Sequence, residues 1–89
     1  MEKVRIELQR DMNHIYGYSK FDYIQKESVT VMNKLTEWSH SNKNCRIYTH
    51  EVRIQQENVS TTNFHTVTND PSLKIPYCEL VTYLDIYYQ

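Results

Sequence analysis

Residues 3–9 alternate without a break. Val4, Ile6 and Leu8 are apolar, whereas Lys3, Arg5, Glu7 and Gln9 are polar. A period of two belongs to a half-buried strand, so this stretch predicts a strand with Val4, Ile6 and Leu8 turned inward. Residues 11–18 then read as a connection, in which Gly17, the only glycine of the chain, suits a position of positive φ. Further on the period lengthens. Phe21, Ile24, Val31, Leu35 and Trp38 recur at steps of three and four, with Ser28 in the gap and Met32 widening the stripe. Lys26, Asn33 and Glu37 fall on the opposite side, and the whole pattern predicts a helix over about 20–40. Ser19 fits its N-cap with Asp22 three residues on, a weak form of the capping box, and Tyr18 and Tyr23 are spaced for a hydrophobic staple. The polar run 39–44 ends the helix, where an asparagine can adopt the left-handed conformation.

Residues 45–55 are rich in β-formers but change phase. Cys45 and Ile47 share one face, and Tyr48, His50, Val52 and Ile54 the other, so a bulge near Thr49 is expected. Gln56, Glu57 and Asn58 read as a polar turn. Residues 59–68, with Phe64 and Val67 among threonines, predict a third strand forming a hairpin with the second. Asn69, Asp70, Pro71 and Ser72 give the clearest turn signal. The final stretch, 77–88, fits either a helical stripe or a strand. Val81, Thr82, Ile86 and the tyrosines favour the pleated surface. The expected fold is therefore a single small α+β domain over 1–89, two layers in the order β-α-β-β-β, with one amphipathic helix on a mostly antiparallel sheet of three or four strands.

In the strand reading the even residues of 78–88 lie under the helix, and the odd ones form a second face: Tyr77, Glu79, Val81, Tyr83, Asp85 and Tyr87. Three rings spaced among two acids are unusual for a solvated face. Loops folded over it, a second copy of the chain, another protein, or plain cross-strand aromatic pairing each explain it. Tyrosine suits an interface, since it buries a large ring at little rotamer cost and keeps a hydroxyl for the rim. Glu79 and Asp85 would steer the choice of partner.

Composition narrows the classes. With 89 residues the chain buries roughly 60–65% of its unfolded surface, too little for a deep cleft backed by a second layer. The formal charge of −1 favours neither a nucleic-acid binder nor an acidic mimic. No apolar run approaches the roughly 20 residues of a membrane span, and charges interrupt the first ten residues where a signal peptide is apolar, so a cytoplasmic protein is expected. Cys45 and Cys78 belong to no C-x-x-C pair and read as reduced thiols. His14, His40, His50 and His65 form no metal motif, although pairing of 45–55 with 59–68 would bring His50 near His65. No cofactor or metal is expected, and no glycine-rich phosphate loop exists. Glu51, Glu79 and Asp85 have no spacing that selects an acid–base pair. The favoured expectation is a non-enzymatic protein-binding module, an inhibitor, adaptor or regulator. Its abundance of Asn, Tyr, Ile and Thr resembles short reading frames of AT-rich bacteria and their phages. The alternative is a homodimer that binds nucleic acid through Lys3, Arg5, Arg46, Tyr48 and Arg53, basic groups beside a stacking ring.

Overall fold

The computed structural model describes residues 1–17 and 28–89. Strand β1 spans Glu2–Ile15, helix α1 Ser28–Ser41, and strands β2, β3 and β4 span Ile47–Glu57, Phe64–Val67 and Asp70–Tyr88. The chain is thus a small α+β domain with the expected element order, and every strand pair is antiparallel. The expected helical residues 20–27, including Phe21, Ile24 and Lys26, lie outside the described residues. So do the N-cap Ser19 with Asp22, and the Tyr18 and Tyr23 staple. Among the described residues no helix is long and apolar enough to cross a membrane.

The last strand is the centre of the sheet, in the order β1-β4-β2. It is also the longest, and the molecule is drawn out along it to 56 × 23 × 17 Å. β1 follows one edge of β4, and β2 and then β3 follow the other. Backbone bonds fix this parity. Gln89 exchanges both hydrogen bonds with Arg46. Tyr77 N–H donates to Asn63 O, and Tyr77 O accepts from Ser60 N–H. Odd residues of β4 therefore aim at the β2 edge. Even residues aim at β1, where Pro76 O accepts from Tyr16 N–H at 3.0 Å.

This arrangement corrects the expected β2–β3 hairpin. The two strands lie end to end on one edge of β4, and residues 58–63 make an excursion between them. Glu57 still belongs to β2, and Asn58 turns the chain with φ +50°, a conformation that asparagine tolerates. The hairpin that does form is β3–β4. Its reversal falls at Thr68 and Asn69, one step earlier than the Pro71 signal suggested, because Val67 pairs Asp70 and residues 71–73 bulge out before Lys74 meets Thr66. Asp70 Oδ1 holds that bulge by accepting from Ser72 N–H at 3.1 Å and Ser72 Oγ at 2.6 Å.

The core lies between α1 and the even residues of β4. Val31, Leu84 and Ile86 are buried, and Val4, Ile6, Leu8, Leu35, Trp38, Ile47 and Val52 pack against them. Trp38 meets Tyr88 with ring centroids 4.9 Å apart. The bulge expected near Thr49 is present between Ile47 and Thr49, so that Ile47, His50 and Val52 all face the helix side. Met32 does not widen the helical stripe; it is 61% exposed. Nor does a left-handed asparagine close α1. Asn42 caps it by side chain, donating from Nδ2 to Trp38 O at 2.9 Å. Gly17 has the expected positive φ, +83°, and donates its N–H to Gln56 Oε1 at 3.1 Å.

Candidate functional site

The face of the sheet turned away from α1 carries the odd residues of β4, and no other described helix or strand lies over it. Register sets its composition. Lys3, Arg5 and Glu7 of β1 stand opposite Tyr87, Asp85 and Tyr83, and Arg10 stands opposite Val81 after a bulge at Leu8. From β2, Thr49, Glu51, Arg53, Gln55 and Glu57 stand opposite Tyr87, Asp85, Tyr83, Val81 and Glu79. Because paired residues of an antiparallel ladder point the same way, three rows of side chains share one surface.

Asp85 is the hub. It has no solvent exposure, and Arg5 binds it with two parallel bonds, Nε to Oδ1 at 2.7 Å and Nη2 to Oδ2 at 2.9 Å. Arg53 Nε approaches Oδ2 from the other neighbouring strand at 3.2 Å, and Lys3 Nζ lies 3.9 Å away. The bonds from Arg5 hold the Asp85 carboxyl below its ordinary range despite burial. The Arg5 guanidinium also covers the Tyr83 ring, 4.7 Å from its centroid. Tyr83 donates its hydroxyl to Glu57 Oε2 at 2.6 Å, and that bond, with desolvation, pushes its pKa up. Arg53 pairs with Glu51 at 2.7 Å, and a hydrogen bond to Tyr87 also supports its charge. Arg10 bridges Glu7 and Glu79, and Asn58 donates to the same Glu79. At the end of the face Tyr77 turns to His65, with its hydroxyl 3.2 Å from Nδ1.

Two sets of residues that the sequence kept apart are thus one surface. Lys3, Arg5 and Arg53 stand among Tyr83, Asp85 and Tyr87. Tyr48 does not join them, being the bulged residue of β2 and 70% exposed, whereas Arg46, which exchanges both backbone bonds with Gln89, stands one step beyond Tyr87 at the end of the same face. Val81 and Asp85 are fully buried, which removes them as contact residues. Asp85 holds Arg5 and Arg53 in place instead of presenting its own carboxylate at the surface. Glu7, Arg10, Glu51 and Glu57 complete the face. Their outward direction was legible for β1 from its alternation, but the strand register that pairs them with β4 was not.

On the helix side, His14 stands opposite Cys78, both buried, with Asp11 Oδ2 3.9 Å from His14 Nδ1. Burial, followed by the charges of Asp11 and Glu79, pushes the Cys78 thiol up, the reverse of what a nucleophilic cysteine needs. His50 and His65 pair with Ile86 and Ile75, so the expected juxtaposition of these two histidines does not occur. Among the described residues no group of three or more His, Cys, Asp or Glu is arranged to hold a metal. No protein family model, curated protein or solved structure matches the chain.

Proposed function

We propose that the protein is a small, non-enzymatic binding module of the cytoplasm that acts by laying the outer face of its sheet on a larger protein. Inhibitor, adaptor and regulatory subunit are the roles that suit it, and the compositional likeness to phage reading frames suits a protein that disables a host factor. The observation that carries this reading is charge matching. Arg5, Arg10 and Arg53, the three arginines set among the rings and acids of the face, are each already bonded to a carboxylate of the same face. A phosphate-binding surface needs cations free to displace counterions. This one offers half-buried rings, Tyr83 and Tyr87, within a nearly neutral polar frame, the make-up of a protein interface with aromatic anchors and a polar rim.

The test is a pull-down of native partners with the immobilised protein, beside a Tyr83→Ala/Tyr87→Ala double variant checked for folding by circular dichroism. A partner retained at about 0.3 M salt by the native protein and lost by the double variant supports the proposal, because contacts of this kind outlast screening. Retention by both proteins would remove the tyrosine face from the interface. A random oligonucleotide bound at low salt and released steeply as salt rises would favour nucleic acid instead.

A further inference from the structure

The outer edge of β1 has no strand beside it among the described residues. Even residues of β4 aim their backbone groups at β1, and Val4 and Ile6 stand opposite Ile86 and Leu84. Val4 and Ile6 are therefore turned toward β4, and the N–H and C=O groups of Lys3, Arg5 and Glu7 point outward from the sheet. Residues 4–8 read Val-Arg-Ile-Glu-Leu. Turned end for end, this segment complements itself.

We propose that β1 pairs with β1 of a second copy across a two-fold axis at Ile6, giving a homodimer with one continuous sheet of eight strands, six strands wide. In that register Arg5 faces the second copy's Glu7, and Glu7 faces its Arg5. Both residues aim their backbone outward, so each such pair exchanges two main-chain hydrogen bonds. On the helix side Ile6 meets Ile6 and Val4 meets Leu8, which extends a row already packed against the core. Neighbouring registers fail on charge. An axis at Arg5 or Glu7 sets identical charges directly opposite each other, an axis at Val4 sets Lys3 against Arg5, and an odd shift turns the apolar row onto the charged face. Next to this edge a groove between α1 and β1 is lined by Ile6, Lys34, Glu37, Trp38 and Ser41. The second copy's Leu8 and Ile6 are apolar groups of the kind its floor accepts. The outer faces of the two copies then lie side by side, leaving both tyrosine surfaces open to a partner.

Light scattering after gel filtration across a range of concentrations, with amide hydrogen exchange on the same samples, tests the pairing without any partner. The expected result is a concentration-dependent dimer in which the Arg5 and Glu7 amides are protected, and exchange freely on dilution. Glu7→Arg sets arginine against Arg5 at both ends of the axis and should weaken dimerisation by roughly tenfold or more. Glu7 is half exposed, with its side chain at 46%, so the fold should persist. Should that variant misfold, the exchange data on the unaltered protein decide. A monomer at every concentration overturns the proposal. So does a dimer whose Arg5 and Glu7 amides are indifferent to dilution, or one that Tyr87→Ala breaks and Glu7→Arg does not.

Discussion

Arg5 and Asp85 are 80 positions apart in the chain, yet they form a two-bond clasp, 2.7 and 2.9 Å, between β1 and β4. The carboxylate sits inside the sheet's outer face and its cations sit above, so the pair anchors the edge strand and screens the arginines at once. Replacing Asp85 by Asn keeps the shape and removes the charge, leaving Arg5, Arg53 and Lys3 to repel one another. The expected loss is about 1–3 kcal/mol in urea unfolding.

Acid should act at the same place. The folded carboxyl lies below its ordinary 3.8, so the unfolded chain takes up the proton first as pH falls. The stabilisation is complete well above 3.8, begins to decline as the pH nears that value, and is lost through the lower folded value. Denaturation midpoints measured from pH 6 downward should fall less steeply in Asp85→Asn than in the native protein.

The Tyr83–Glu57 bond predicts the opposite limb. Tyr83 is raised above its ordinary 10.0, so the unfolded chain deprotonates first as pH rises. That contribution is intact below about pH 10 and is lost above it. Absorbance at the phenolate band should show Tyr83 among the last tyrosines to ionise, and Glu57→Gln should move its titration down.

The two thiols should separate kinetically. Cys78 is 2% exposed, whereas Cys45 is half-buried. A thiol reagent should modify Cys45 in the native protein and Cys78 at a rate at least roughly a hundredfold slower, set by opening of the sheet. Equal rates would show that the strand pair at His14 and Cys78 opens freely.

Gly17→Ala isolates backbone strain from packing. A Cβ placed there meets nothing within 4 Å, but the residue has φ +83°. The expected loss is about 1 kcal/mol, a few degrees in Tm, with no change in the spectra of the folded state.

Much of this fold is written in local periodicity. The alternation of Val4, Ile6 and Leu8, the stripe Val31, Leu35 and Trp38, and the phase change that demanded a bulge near Thr49 all survive in three dimensions. What does not show locally is pairing. Nothing in residues 59–68 says that they extend the edge held by β2 instead of folding back on it. Nor does any local signal say that β4 will lie between β1 and β2. The same gap separated Arg5 and Arg53 from the tyrosines. Each was read on its own strand, and only the register revealed that Asp85 gathers them. Asp85 itself read as a surface acid, because burial by arginines from neighbouring strands leaves no trace in its own segment.

That the sheet's middle strand is the last in sequence has a kinetic consequence. The ribbon of β2, β3 and β4 closes across the two residues Thr68 and Asn69, whereas β1 reaches its place only by bringing Glu2 to Tyr88. Short-range closure comes first and long-range closure is slow. The ribbon is therefore expected to form early with one side of β4 bare, and docking of β1 to be the late step. In that order any extended segment with the same alternation would compete for that side, and the clasp of Arg5 on Asp85 would favour the chain's own first strand.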